Sequence, residues 1–413
     1  MKGPSGTRLP IAIWILTRTA LLLCVFKVFR LPGPDVTTDI SVIYQGWYDV
    51  LRTGTYPLDD VTWQYPPAAA LAILSPLLLP FLDYASAFYL LAFVCDALVF
   101  GLLLYAGRRP GKTLSGSWVW IAGVPLLGPT AYARYDLMVT AVAVAALLAG
   151  VRHPRLLGAL AGFGAMLKVW PVLLLAGTRR GRATLRSWTT AAGSGAAVLL
   201  LCAAAAPGAL AFLTFQRDRG TEVESLGSLV FHVARHFGWD GQVLLNYGSV
   251  EFLGPYVPMV SAAALTLTVA AFGWLLLWRI RAREFRTTTL CDAAFVAVLL
   301  FTTTSRVISP QYMLWLVGLA AVCLVFRDSP MRRPAWLVVA ATGVTLLEFP
   351  IWFSHVVDSD PLGLLLLTVR NGLLVAATIT AGRRLWHRTV TEPRLREHAR
   401  VPAQGGHDRE LVS

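Results

Sequence analysis

Charged residues are scarce in this sequence: only 14% of its 413 residues are Asp, Glu, Lys or Arg, compared with about 25% in an average soluble domain. Hydrophobic residues make up 56%, and the mean hydropathy is +0.61. These values argue against a soluble globular protein, a disordered chain and a coiled coil. The apolar residues also form runs of roughly 15–25, long enough to cross the ~30 Å hydrocarbon core of a bilayer. The sequence therefore predicts an all-α polytopic membrane protein.

Several familiar site motifs are missing. The five cysteines lie inside apolar runs without CxxC or Cys/His spacing, which argues against a zinc site and a disulfide framework. There is no P-loop, dinucleotide fingerprint, HExxH or GxSxG motif. We therefore expect no nucleotide cofactor, and no metal-binding set is evident, while dependence on a divalent metal stays open.

Basic residues outnumber acidic ones, 36 to 23, which gives a net charge of +13. In a soluble protein this excess would point towards nucleic acid. Here we assign it to loops on the cytoplasmic side of the spans, following the positive-inside rule. We expect membrane lipids as neighbours and no nucleic-acid partner.

Two apolar runs need special treatment before the loops obey that rule. The run 67–82 is short and rich in proline, so we interpret it as an interfacial or re-entrant segment. The run 155–177 contains Lys168 and Pro171. Because a lysine at mid-membrane is costly, we predict two short helices that meet near the outer surface at Lys168.

With these changes, a bundle of about twelve spans remains, with both termini in the cytoplasm. Residues 1–382 form one transmembrane domain with long outer loops at 30–83 and 214–254, and 383–413 is predicted to be a disordered basic tail. The segments predicted to lie inside are 1–8, 107–116, 152–155, 178–186, 279–287, 327–333 and 383–413.

The first outer loop contains a helical pattern. Apolar or aromatic residues stand at 40, 43, 44, 47, 48 and 51, a spacing that predicts an amphipathic helix lying on the membrane. Asp39 lies at or just before its start. Asp is a common N-cap, but a capping carboxylate could also project into a cleft, so the two roles are not exclusive.

Other unusual polar residues also fall on the outer face. Each has a structural alternative: a local Arg/Asp pair for Arg134 and Asp136, a buried partner for Lys168, and a solvated charge run for Arg219, Glu222 and Glu224. Arg306 is a candidate phosphate ligand because a guanidinium matches phosphate oxygens. Asp96, Asp292 and Arg370 lie within spans, where we expect helix–helix pairing and no chemistry. If the site is catalytic, Asp39, Lys168 and Arg306 should converge on one cavity.

Cations, a carboxylate base and aromatic residues on one face suit a lipid-phosphate-linked sugar, because cations neutralise phosphate and aromatic rings pack on sugars. The aromatic candidates are Tyr44, Tyr65 and Tyr312. The alternatives are a transporter or flippase for a lipid-linked glycan, and a structural scaffold. A transporter should show paired broken helices and internal symmetry between its halves, and the sequence shows no matching pairs.

Several runs resemble those of glycosyltransferase family 87. They are Asp39-Ile-Ser-Val-Ile-Tyr44, Gly54-Thr-Tyr56-Pro57, Tyr65-Pro66-Pro67, Leu167-Lys168-Val-Trp-Pro171, Arg219-Gly-Thr-Glu222-Val-Glu224-Ser225 and Ser309-Pro310-Gln311-Tyr312. The resemblance implies a GT-C fold in the plasma membrane of an actinobacterium.

It also implies inverting transfer of mannose from polyprenyl-phosphate-mannose to a glycolipid or glycan of the cell envelope, on the outer side. Asp39 matches the family's first-loop aspartate, which deprotonates the acceptor, and Asp35 and Asp49 are the alternatives for that role. The remaining candidates would bind donor or acceptor. Some relatives have His where Gln311 or Tyr312 stands here, so the role of Gln311 stays open.

Overall fold

The computed structural model describes residues 5–215, 220–393 and 395. Helices dominate it, as predicted. The α-helices are α1 Ser5–Val25, α2 Gln45–Leu51, α3 Ala69–Leu74, α4 Tyr84–Gly107, α5 Ser115–Leu126, α6 Asp136–Gly150, α7 Pro154–Leu167, α8 Arg182–Ala205, α9 Phe212–Phe215, α10 Leu229–Arg235, α11 Val257–Arg281, α12 Thr289–Thr304, α13 Tyr312–Val325, α14 Arg332–Leu346, α15 Phe353–Asp358 and α16 Pro361–Trp386.

Shorter segments extend or join these helices. The 3₁₀ segments are Ser75–Leu78, Gly128–Ala131 and Trp170–Gly177, and the π-helical ones are Asp39–Tyr44, Leu347–Ile351 and His387–Thr391. The strands are β1 Thr221–Glu222, β2 Gln242–Asn246 and β3 Ser249–Leu253.

The chain is a multi-pass membrane protein. Among the described residues, 6 helices are long and apolar enough to cross a bilayer: α1, α4, α8, α11, and α14 and α16 with their π-helical extensions. Shorter apolar helices fill the interior; α13 is buried at every position from Met313 to Val325, as expected of a helix that is hydrophobic all round. The total of about twelve spans stays a prediction.

The two breaks that the sequence predicts are present. α3 has six residues, passes into a 3₁₀ segment, and its preceding Ala68 N–H donates to the carbonyl of Met166 at 3.0 Å. α7 ends at Leu167, Lys168 is extended, and the chain continues as the 3₁₀ segment. Pro171 explains the change, because proline has no N–H to continue an α-helical ladder. Lys168 therefore lies at a junction between two short segments.

The predicted first-loop helix is formed by Asp39–Tyr44 and α2. Its buried positions Ile40, Tyr44, Trp47 and Leu51 match the apolar spacing, and this face packs against the bundle. That the helix lies on the membrane stays a prediction. Asp39 is not an N-cap: it is the first helical residue, and no side-chain cap is formed at Thr38.

The segments predicted to be cytoplasmic meet at one end of the bundle. Arg180 Nη2 donates to the carbonyl of Ile280 at 2.8 Å, Arg283 N–H donates to that of Thr389 at 2.8 Å, and Thr113 N–H donates to that of Val325 at 2.9 Å. We call this the basic end. Asp39, Lys168 and Arg306 lie at the opposite end, which we call the site end.

The predicted disordered tail needs a correction. α16 continues past residue 383 to Trp386, and a π-helical segment follows to Thr391. This part is ordered because Thr389 is buried and its hydroxyl accepts a hydrogen bond from Trp278 Nε1 at 2.9 Å. Residues 394 and 396–413 lie outside the described residues.

A small antiparallel sheet, which the sequence analysis does not anticipate, lies in the second loop at the site end. Its strand order is β1-β3-β2. β2 and β3 form a hairpin whose two-residue turn, Tyr247-Gly248, has φ values of 49° and 77°, as a type I′ turn requires. Gln64 Nε2 donates to the carbonyl of Tyr247 at 3.2 Å, so the hairpin contacts the first loop.

A buried ion pair joins α1 to α4. Arg18 Nε donates to Asp96 Oδ2 at 2.7 Å, and both side chains are almost fully buried. Trp14 Nε1, Trp120 Nε1 and the Tyr132 hydroxyl also donate to this carboxylate. The prediction that Asp96 pairs helices is confirmed.

Candidate active site

A cavity of about 1130 Å³ opens at the site end. Its polar wall comes from the 3₁₀ junction, the first loop and the 305–312 connection, and includes Gln64, Tyr65, Lys168, Ser305, Arg306, Ser309, Gln311 and Tyr312. Its apolar wall follows α11 and α12, with Val257, Pro258, Ala262, Leu265 and Phe301. The lining of the cavity therefore combines cationic, aromatic and apolar side chains.

Lys168 is enclosed by aromatic rings and one carboxylate. Its Nζ lies 5.1–5.6 Å from the ring centroids of Tyr65, Tyr135, Tyr312 and Trp315, and donates to Asp136 Oδ1 at 2.7 Å. Its side chain is only 12% exposed. Within the described residues this is the ammonium's one hydrogen bond, and an ammonium has three donors. The other two N–H groups make no hydrogen bond within the described chain, and Lys168 is among the residues that line the cavity.

Asp136 is the first residue of α6 and is buried. Its Oδ1 accepts from Lys168 Nζ and, at 2.7 Å, from Trp315 Nε1, while Oδ2 is buried without a partner in the described part of the chain. Asp136 does not pair with Arg134, so the local-pair alternative is wrong. The backbone turn at Tyr135 sends the two side chains in different directions.

Arg134 pairs with Asp39 instead. Arg134 Nη2 lies 2.6 Å from Asp39 Oδ2, and Asp39 is 32% exposed. Burial opposes the guanidinium charge, but Asp39 and its neighbours raise the pKa of Arg134 overall. Across the described chain, Asp39 Oδ1 accepts no hydrogen bond, so one oxygen of this carboxylate stays open.

The expected convergence on one cavity holds for two of the three residues. Lys168 and Arg306 line the cavity, and Asp39 does not. Asp39 is paired with Arg134, which does not line the cavity either. Of its alternatives, Asp35 is engaged with Lys27 at 2.8 Å, and Asp49 is exposed on α2.

Glu222 holds the connection that carries Arg306. Its N–H donates to the carbonyl of Arg306 at 3.1 Å. Its carboxylate accepts from Ile308 N–H at 2.6 Å and from the Ser309 hydroxyl at 2.9 Å. Glu222 is buried and shapes the cavity wall from behind.

Glu224 lies in a buried carboxyl cluster further from the cavity. Arg370 donates to Glu348, Nε to Oε2 at 2.9 Å, and to the backbone carbonyl of Glu224 at 2.8 Å. Arg370 thus pairs helices, as predicted. The side-chain Oε1 of Glu224 is buried without a partner in the described chain. One arginine therefore faces two buried carboxyl groups that also interact with each other, and burial favours the protonated form of Glu224.

This arrangement predicts a pH dependence of stability. Burial, and then Glu348 and Glu222, raise the pKa of Glu224 well above its ordinary value of 4.5. The folded protein therefore binds more protons than the unfolded chain in the window that begins near 4.5 and extends upwards, so stability falls as pH rises through it. Glu224→Gln should flatten this decline, measured as Tm in detergent between about pH 4.5 and 9.

Asp49→Asn, at an exposed carboxylate, is the matched control and should keep the wild-type slope. An unchanged slope in Glu224→Gln would contradict the assignment.

The remaining sequence candidates divide between cavity and core. Tyr65, Gln311 and Tyr312 line the cavity, whereas Tyr44 is buried and stacks on Trp47 at 5.3 Å. Arg219 lies outside the described residues. Trp315 was missed, although it follows Tyr312 by one helical turn and stacks on it at 3.9 Å. Among described residues, no group of three or more His, Cys, Asp or Glu side chains could hold a metal ion.

Comparison with known proteins gives a family match and a likeness in shape. A sequence model of glycosyltransferase family 87 matches residues 63–310, more than half of the chain. No curated protein sequence matches this chain. The crystal structure of ArnT from Cupriavidus metallidurans in the apo state is similar, with a TM-score of 0.47 and 15% sequence identity, covering 93% of this chain and 78% of that chain.

Proposed function

The chain belongs to glycosyltransferase family 87, and on that premise we propose that this membrane glycosyltransferase moves a hexose, mannose by the sequence resemblance, from a polyprenyl-phosphate donor to a glycolipid or glycan of the cell envelope. The acceptor hydroxyl would be deprotonated by Asp39, which does not line the donor cavity, so the acceptor would have to reach the donor from the side on which Asp39 lies. The donor phosphate would be bound by Lys168 and Arg306.

The shape and polarity of the cavity support a lipid-borne donor most directly. Lys168 and Arg306 add positive charge to the lining, and α11 adds apolar side chains, among them Leu265, which is also exposed. A donor with a charged sugar-phosphate head and a hydrocarbon tail is complementary to such a surface. A nucleotide sugar has no hydrocarbon chain to pack against the apolar side chains.

In the proposed reaction, the acceptor oxygen attacks the anomeric carbon and the bond from that carbon to the phosphate oxygen breaks. The acceptor proton passes to the open oxygen of Asp39. Polyprenyl phosphate leaves with the bonding electrons, and Lys168 and Arg306 stabilise its charge. Attack opposite the leaving group inverts the configuration at the anomeric carbon.

We also propose the orientation. The arginines of 178–186 and 279–287 belong to the basic end, which the positive-inside rule assigns to the cytoplasm. The site end would then face outwards, where a membrane-carried donor replaces cytosolic nucleotide sugars.

The proposal is tested by incubating the purified protein in lipid nanodiscs with radiolabelled polyprenyl-phosphate-mannose and an envelope-lipid extract. We expect labelled product and release of polyprenyl phosphate. In sealed vesicles, movement of the labelled donor across the membrane without any product would favour the transporter alternative. Absence of both results would overturn the proposal.

Lys168 provides a prediction for donor binding. Lys168→Gln should raise the donor KM about tenfold to a hundredfold, because a hydrogen bond to a charged group is worth ~1.5–3 kcal/mol. Lys168→Arg, which keeps the charge, should raise the donor KM less. Lys112→Gln at the basic end is the control. Initial rates over a donor series measure the effect, and an unchanged KM in Lys168→Gln would rule out the phosphate contact.

A further inference from the structure

Two ion pairs of the site start from one short segment. Arg134 reaches Asp39 in the first loop at 2.6 Å, and Asp136 reaches Lys168 at the helix break at 2.7 Å. Asp39 and Lys168 are far apart in sequence. Their partners Arg134 and Asp136, however, are separated by only one residue. The segment 134–136 therefore links the two ion pairs directly.

The donors of Arg134 are directed away from the cavity. Nη2 binds Asp39, and Nη1 donates to the carbonyls of Ala133 at 2.8 Å and Val36 at 3.4 Å. Arg134 is not among the residues that line the cavity. A donor phosphate in the cavity thus meets Lys168, while Arg134 holds the carboxylate and the backbone that leads to it.

Asp136 has the corresponding role for Lys168. Its Oδ1 fixes both the ammonium and Trp315 Nε1, and Trp315 is stacked between Trp170 at 5.2 Å and Tyr312 at 3.9 Å. Without Asp136, Lys168 would be a buried charge with no counter-ion, a state that favours loss of its proton.

The residue between them is also fixed. Tyr135 is fully buried, its ring meets that of Tyr65 edge-on at 5.2 Å, and its hydroxyl donates to the carbonyl of Leu167 at 3.4 Å. Leu167 directly precedes Lys168. The residue between the two ion pairs is thus held by packing and by a hydrogen bond to the segment that carries Lys168.

We propose that Arg134 and Asp136 are positioning residues of one unit: Arg134 holds Asp39, Asp136 holds Lys168 in its charged form, and the buried 134–136 segment sets the separation between base and phosphate-binding cation. This inference rests on the proposed function. It makes Arg134 a support for Asp39 rather than a ligand of the donor phosphate.

Disrupting the Arg134–Asp39 pair and disrupting the Asp136–Lys168 pair should have different effects on catalysis and on binding of polyprenyl-phosphate-mannose. Arg134→Gln should lower kcat about a hundredfold through misplacement of Asp39, while donor Kd stays within about twofold. In an Asp39→Asn background, Arg134→Gln should add no further loss, because both changes act through one group. Arg134→Lys should recover part of kcat.

Asp136→Asn should instead change the pH profile of donor binding. The pH above which binding is lost should fall by about one unit or more, and this shift should disappear in a Lys168→Gln background. The charged or titratable groups around the ammonium in the described chain are Asp136, Arg134 and the phenols of Tyr65, Tyr135 and Tyr312, and only the first is changed.

Asp49→Asn and Arg52→Gln, both exposed on or beside α2, are the controls and should leave all parameters unchanged. Donor Kd weakened by Arg134→Gln as much as by Lys168→Gln would make Arg134 a phosphate ligand and overturn the inference. An unshifted pH profile in Asp136→Asn would also overturn it.

If Asp136→Asn does not fold, Asp136→Glu keeps the charge and should keep the wild-type profile; a shifted profile in that variant would contradict the counter-ion role. A wild-type protein that does not bind the donor would reject the proposed function itself.

Discussion

Replacing Asp39 with Asn is expected to abolish sugar transfer while the protein still folds and reaches the membrane. A general base contributes about 10²–10⁴-fold to a rate, so kcat should fall by at least two orders of magnitude. Asn keeps the shape and can still accept from Arg134, whose pairing with Asp39 at 2.6 Å anchors the first loop. It has no carboxylate oxygen to take the acceptor proton.

Product formation by the purified variant measures this effect, with donor Kd measured in parallel. Asp49→Asn is the matched control, because that carboxylate is exposed on the same helical segment. Asp35→Asn tests the other neighbour; hydrogen bonds from Lys27 and Thr37 lower the pKa of Asp35 despite partial burial. Normal transfer by Asp39→Asn would remove Asp39 from the mechanism.

Replacing Asp96 with Ala should give the largest loss of stability. The change leaves Arg18 as a buried, uncompensated charge, which costs about 3–5 kcal/mol. It also removes the acceptor shared by Trp14, Trp120 and Tyr132. We expect either little folded protein in detergent or a strongly lowered Tm. Thermal unfolding monitored by tryptophan fluorescence measures the effect.

Two further variants separate this effect from a general sensitivity to substitution. Asp83→Ala removes an exposed helix N-cap that accepts from Ser86 N–H, and should cost only about 1 kcal/mol. Arg18→Met combined with Asp96→Leu removes both charges and should recover much of the loss. Equal Tm values for wild type and Asp96→Ala would show that the pair does not hold α1 to α4.

Periodicity and proline placement were enough to predict the helical architecture. The break at Lys168 follows from a charge and a proline within one apolar run, and the helix at 39–51 follows from its apolar spacing. The β-hairpin was missed because β2 and β3 are only five residues each and lie within a segment predicted to be an outer loop. The order of the last helix beyond 383 depends on Thr389 meeting Trp278, a contact that no local pattern reveals.

Some of the predicted site residues line the cavity, namely Tyr65, Lys168, Arg306, Gln311 and Tyr312. The pairs that the candidates form could not be predicted. Arg134 and Asp136 stand two residues apart, a spacing that suggests mutual pairing, yet each finds a partner elsewhere in the chain. Trp315 lies in an apolar helix where a tryptophan gives no sign of a hydrogen bond to a carboxylate. Glu222 looked like part of a solvated charge run, and the fold buries it behind the Arg306 connection. Such pairings are decided by tertiary packing.

The interruption at Lys168 also determines on which face of the bundle every later connection emerges, because it changes the number of crossings by one. If 154–177 crossed the bilayer as one uninterrupted helix, every later crossing would be inverted. The connections that hold Glu222 and Arg306 would then emerge on the face opposite Asp39. By folding as α7 and a 3₁₀ segment that double back at one residue, the chain brings the connections of its two halves to the same face.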